Sequence, residues 1–325
     1  MENLVVTCSP HARSGETTRK IMMKVLIALL PAGAFSVYFF GMRALYLILI
    51  CAICSPLFEM LWCWLIKRPD STDDLSAVVT GVLLAYNLPV SIPIWEAVVG
   101  CFFAIIVIKE FFGGIGQNFI NPAIGGRVFL LISFATRMTD WSVYEGTKAA
   151  DYLSAVSSAT SVGSDAISSA TPLRSDTVNF YDLLLGRTGG SLGETCALVL
   201  IAGGILLVAM KVISPIIPLT YVGTAAAVAW LCGENPVYHI FAGGLLLGAI
   251  FMATDYVTSP TTNKGKFIFA VGCGVITMLI RIYGNYPEGV SFAILLMNIV
   301  TPLIDRATMT RPFGALIPAK GGDAK

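Results

Sequence analysis

The stretch Asp165-Ala166-Ile167-Ser168-Ser169-Ala170-Thr171-Pro172-Leu173 sets a nucleophilic hydroxyl among small neighbours. A hydroxyl so placed can attack the pyrophosphate of FAD and retain the FMN half as a phosphoester, if a flavin transferase can close around it. The acceptor must then be exposed and narrow. Ser168, Ser169 and Ala170 keep the approach to Thr171 slim, Asp165 stands at a set spacing, and Pro172 holds the exit extended. The pattern is Asp, two residues, Ser or Thr, Gly or Ser, Ala, Thr. A near copy, Ser157-Ser158-Ala159-Thr160, repeats the last four positions but has Ser154 where the pattern requires Asp. Thr171 is therefore the expected attachment point, and Thr160 its internal control.

Ionisable residues in or beside apolar runs are costly and often functional. Glu59, Lys109, Glu110, Asp255, Arg281 and Asp305 qualify. Glu59 sits well inside an apolar run, and Asp255 follows a break in one. Each is a candidate for binding an ion or a second, non-covalent flavin such as riboflavin; the alternative for each is a solvated helix end or a structural ion pair. Cys51 and Cys54 form a CxxC, but an iron–sulfur cluster takes four thiolates and no second CxxC exists, so buried inert cysteines are expected. His11 and His239 are isolated and suggest no metal. Gly113-Gly114-Ile115-Gly116 has no preceding strand, so it is read as a helix break rather than a dinucleotide loop.

The elements that position these residues are membrane helices. The 325 residues are 56% hydrophobic and 13% charged, with mean hydropathy +0.78. A soluble domain carries about a quarter charged residues. The apolar runs are continuous rather than alternating, which selects an all-α integral membrane protein over a barrel. Net charge is +1, which argues against nucleic acid as a partner. The eight cysteines fall mostly inside apolar runs, so no disulfide framework is expected. Residues 1–20 are polar and read as a cytoplasmic segment with no cleavable signal.

About ten runs can be marked: 21–40, 44–66, 75–88, 95–108 and 121–136, then 194–213, 216–231, 237–253, 266–282 and 289–304. They define a first membrane half (21–136), an insert (137–190), a second half (191–305) and a tail (306–325). Lys and Arg concentrate at the N-terminus, at Lys67–Arg68, Lys109 and Arg127, Lys211, Lys264 and Lys266, and in the tail. Both termini are thus expected in the cytoplasm and the insert outside it, with Arg43 and Arg281 as exceptions. The halves look related: Thr80–Pro93 closes the third run and Gly248–Pro260 closes the eighth. Five spans per half make the second copy inverted, with broken helices at matching places, which is how transporters build a central site.

Together these residues resemble the NqrB/RnfD family, the D subunits of Rnf electron-transport complexes and the B subunits of sodium-pumping NADH:quinone reductases. The similarity runs through Ser9-Pro10-His11-Ala12-Arg13, Asn121-Pro122-Ala123, Asp165 to Thr171-Pro172-Leu173, Phe251-Met252-Ala253-Thr254-Asp255, Ser259-Pro260-Thr261-Thr262, Tyr286-Pro287-Glu288-Gly289-Val290 and Arg311-Pro312-Phe313-Gly314-Ala315. The short N-terminal segment favours the Rnf branch. The resemblance implies FMN bound covalently to Thr171 outside the cytoplasm of a cell (inner) membrane protein. It also implies electron flow between ferredoxin and NAD coupled to Na⁺ or H⁺ movement, and a flavin transferase. The implied partners are the A, B, C, E and G subunits of the Rnf complex, of which the last carries a second covalent FMN. Ser169 where the family often has Gly, and Tyr256 where it has Pro, are departures. A quinone-reducing homologue and a secondary transporter without redox role remain the alternatives.

Overall fold

The computed structural model describes residues 16–68, 71–141, 147–150, 184, 190–194, 196–284 and 289–309. Among them every regular element is helical. Helices α1 (Thr18–Phe40) and α2 (Met42–Ile66) meet at a single residue, Gly41, whose φ of +79° reverses the chain in the least space. Helix α3 (Ser76–Tyr86) is only 11 residues long, and α4 (Ile94–Phe102) passes into a π-helical turn over Phe103–Glu110. The run Gly113, Gly114 and Gly116 then takes positive φ at all three glycines, so the predicted helix break is there. Asn121 caps α5 (Pro122–Ser133), its side chain accepting from the amides of Ala123 and Ile124, with Pro122 at the first helical position. The short α6 (Ala135–Met138) leads into the insert.

The second half contains α7 (Ala197–Ala209), α8 (Ile216–Leu231), the six-residue α9 (Pro236–Phe241), α10 (Leu245–Leu247, extended as a π-helix by Gly248–Met252), α11 (Asn263–Tyr283) and α12 (Val290–Thr308). The predicted run 237–253 is thus not one helix. It breaks at Ala242 and Gly243, where Gly243 has φ +69°, before the stretch Gly248–Pro260 expected to close it.

Among the described residues, α1, α2, α11 and α12 are long and apolar enough to cross a membrane, while α3, α5, α7 and α8 are apolar but shorter. The molecule is a multi-pass membrane protein. Its outward faces carry Leu30, Tyr46, Ile53, Trp64, Leu219, Trp230 and Leu303, large apolar side chains that lipid or other membrane helices can cover. The halves repeat one packing scheme: α1 on α3, α2 on α4 and α4 on α5 are matched by α7 on α10, α8 on α11 and α11 on α12. Between halves, α1 meets α7 and α5 meets α12.

Candidate functional site

Polar side chains collect at two levels of this apolar framework. At one level, α2, α3 and the π-helical turn after α4 bring together Glu59, Ser76 and Lys109. Lys109 Nζ donates to Glu59 Oε1 at 2.9 Å and to Ser76 Oγ at 2.7 Å, and Ser71 Oγ donates to the same carboxylate oxygen at 2.7 Å. Glu59 and Lys109 are 1% and 2% exposed, so each charge needs the other to be tolerated there. Glu110 lies 4.0 Å from Lys109 Nζ. Glu59 Oε2 and Glu110 Oε1 are buried without a hydrogen-bond partner. Glu59 is therefore half of a buried ion pair, one of the readings its sequence position left open, with one carboxylate oxygen unpartnered.

Lys109 and Ser76 also line a cavity of about 270 Å³ between the halves. Its walls are apolar, from Ile21, Met22, Val25, Leu207 and Phe251; its polar rim is Thr80, Asn118, Asn121, Thr254, Asp255 and Tyr256. Asn121 fixes that rim across the repeat: its Nδ2 donates to the Met252 carbonyl at 3.1 Å, at the end of α10. With its amide oriented to satisfy both neighbours, Asn298 of α12 accepts from the Asn121 amide at 3.1 Å and donates to the Thr258 carbonyl at 3.3 Å. Asp255 accepts from Thr258 Oγ1 at 3.1 Å. So Asp255 and Glu59 are brought to one region, Asp255 on the cavity and Glu59 behind Lys109. Asp305 instead accepts from the backbone and hydroxyl of Thr261, a loop-fixing role.

At the other level lie the described ends of the insert. The Asp140 carbonyl accepts from Ser91 Oγ at 2.7 Å, Arg137 pairs with Glu96, and the Lys148 ammonium sits 3.4 Å from the Tyr38 ring centroid. On the returning side, Leu192 and Gly193 donate to the carbonyls of Leu88 (3.1 Å) and Tyr86 (2.8 Å). Both sides of the insert thus touch the end of α3 or the connection after it, through Ser91 on one side and Tyr86 and Leu88 on the other. The acceptor stretch itself, Asp165, Ser168, Ser169, Ala170 and Thr171, and its control Thr160, lie outside the described residues.

Arg127 corrects one expectation. Read as a loop charge beside Lys109, it is buried in α5 and pairs with Glu194 at 3.0 Å and with Asn87, at the level of the insert. The two arginines that broke the charge rule are also explained. Arg43 donates to the carbonyls of Val90 and Ile92, both at 2.9 Å, and Arg281 to those of His239 (2.6 Å) and Ala242 (3.1 Å). Each satisfies carbonyls freed by a helix break in its own half. Sequence reasoning missed Asn87, Arg127 and Glu194 as core residues; the signal for Arg127 was its place inside the 121–136 run. Cys51 and Cys101 are fully buried, and no cluster of metal-ligating side chains occurs among the described residues.

Sequence comparison identifies the family. The model of the NQR2, RnfD, RnfE family matches residues 5–314. The chain belongs to this family. It is 47% identical over 314 residues, 96% of both chains, to the D subunit of the Na⁺-translocating ferredoxin:NAD⁺ oxidoreductase complex of Acetobacterium woodii. It is 41% identical to the D subunit of the proton-translocating ferredoxin:NAD⁺ oxidoreductase complex of Clostridium ljungdahlii, covering 95% of this chain and 96% of that one. It is 39% identical to the D subunit of the ion-translocating oxidoreductase complex of Stutzerimonas stutzeri, covering 91% and 92%. Similar family members are thus named for different ions.

Proposed function

We propose that this chain is the D subunit of an ion-translocating ferredoxin:NAD oxidoreductase (Rnf) complex, carrying FMN as a phosphoester on Thr171. The observation that carries this reading is the 47% identity over 96% of the chain to a protein so named, joined to the Asp165–Thr171 pattern within the matched length. The insert is taken to lie outside the cytoplasm, with both termini inside. The described contacts support that arrangement, because the insert ends and the cavity fall at opposite levels of the helices. A flavin transferase loads Thr171. Its electron partner is the G subunit with its own covalent FMN, within a complex that also holds the A, B, C and E subunits. The flavin supplies the redox chemistry; the chain sets its place and surroundings.

The central cavity fits a second, non-covalent flavin such as riboflavin. Its apolar walls suit a flat ring system, and Asn118, Asn121, Thr254 and Asp255 suit the polar edge of one. The buried Glu59–Lys109 pair beside it, with a spare carboxylate oxygen, is the candidate for handling Na⁺ or H⁺.

In-gel ultraviolet fluorescence tests the covalent flavin. In cells containing the transferase, the denatured chain is expected to fluoresce; Thr171→Ala abolishes the signal and Thr160→Ala keeps it. A dark wild-type chain from such cells overturns the reading and leaves a transporter without redox role.

A further inference from the structure

We infer that Arg127 is a positioning residue that couples the insert to the central cavity. The role presupposes that the insert carries the flavin, as proposed above. A single nitrogen, Nη1, donates to Glu194 Oε1 at 3.0 Å and to Asn87 Oδ1. Glu194 lies just past the returning end of the insert, three residues before α7. Asn87 caps α3, and its Nδ2 donates to the Leu83 carbonyl at 2.6 Å and to the Met252 sulfur at 3.5 Å. Met252 ends α10, and its carbonyl is held at 3.1 Å by Asn121 on the cavity rim. The chain of contacts Glu194, Arg127, Asn87, Met252, Asn121 therefore runs unbroken from the insert to the cavity and crosses from one half to the other.

Three features make this junction tight rather than incidental. Arg127 and Glu194 are 3% and 5% exposed, so neither charge can leave its partner for water. A Cβ on Gly244 would lie 2.4 Å from Glu194 Oε1, so the break before α10 is packed against the carboxylate. A Cβ on Gly193 would lie 2.3 Å from that of Tyr86, so this segment is packed directly against the last residue of α3. Displacement of residues 192–194, through which the chain returns from the insert, would therefore carry the guanidinium with it, and through Asn87 the end of α10. The two half-helices are the elements whose placement shapes the cavity.

The test uses the assembled complex in inverted membrane vesicles, reading in-gel flavin fluorescence, ferredoxin-driven NAD reduction, and Na⁺ and H⁺ uptake together. Glu194→Gln keeps an acceptor for Arg127 but removes the charge; Asn87→Ala leaves the ion pair and cuts the link to Met252. Both are expected to keep the fluorescence and to lower ions moved per electron by about threefold or more, the scale on which mutations along a coupling network act. Fluorescent variants with an unchanged ion-to-electron ratio overturn the role alone, whereas a dark wild type overturns the covalent-flavin reading and the role that rests on it. Hydrogen exchange on the wild-type complex needs no variant to fold. Between oxidised and reduced complex, protection at 190–194 and at 248–254 should change together; a change in one alone, or in neither, overturns the coupling.

Discussion

At the residue scale, a carboxylate and an ammonium buried together are worth most when one of them is removed. Lys109→Met leaves Glu59 charged among apolar neighbours, and such losses destabilise by about 3–5 kcal/mol. The expected outcome is a sharply lowered unfolding midpoint in detergent, partly restored by the double variant Glu59→Gln, Lys109→Met, which removes both charges of the pair. If the single variant unfolds like the wild type, the pair is not a structural necessity. Glu59 was singled out from sequence because a carboxylate inside an apolar run is conspicuous. Its partner was legible only as another candidate, since Lys109 lies 50 positions away and no periodicity links them. Arg127 was misassigned for a related reason: a cation grouped with Lys109 reads as a loop charge until the fold shows it facing Glu194 from within α5.

At the element scale, close helix approach depends on glycine at particular places. A Cβ on Gly81 of α3 would lie 2.3 Å from the Cys51 carbonyl oxygen of α2, a backbone atom that cannot rotate away. Gly81→Ala is expected to cost about 1–3 kcal/mol by overpacking, whereas Gly223→Ala, where a Cβ meets nothing within 4 Å, is neutral. Fluorescence-detected size exclusion after graded heating distinguishes them, and equal behaviour would refute the tight α2–α3 contact. The breaks are also maintained by single side chains. Arg281→Ala is expected to raise hydrogen exchange selectively over 236–252, because the His239 and Ala242 carbonyls lose their donors. Arg43→Ala does the same over 90–92. Proline, glycine and asparagine marked most of these boundaries in the sequence. The break inside 237–253 was hidden because Ala242-Gly243-Gly244 lies within an apolar stretch that reads as one span.

At the scale of the whole molecule, the arrangement of levels predicts a sidedness. Lys148→Cys and Lys264→Cys should react with an impermeant maleimide from opposite faces of the membrane, the first from outside; labelling from one face would invert or abolish the proposed topology. The sequence alone determined the all-helical membrane class and the family, because hydropathy and motif order are local or collinear properties that survive without coordinates. What only the tertiary structure decided is how the halves meet: Asn121 and Asn298 crossing between them, two exceptional arginines turned onto freed carbonyls, and both sides of the insert touching the end of α3 or the connection after it. Each of these is a hydrogen bond between residues far apart in the chain, formed because lipid offers a broken helix no other partner.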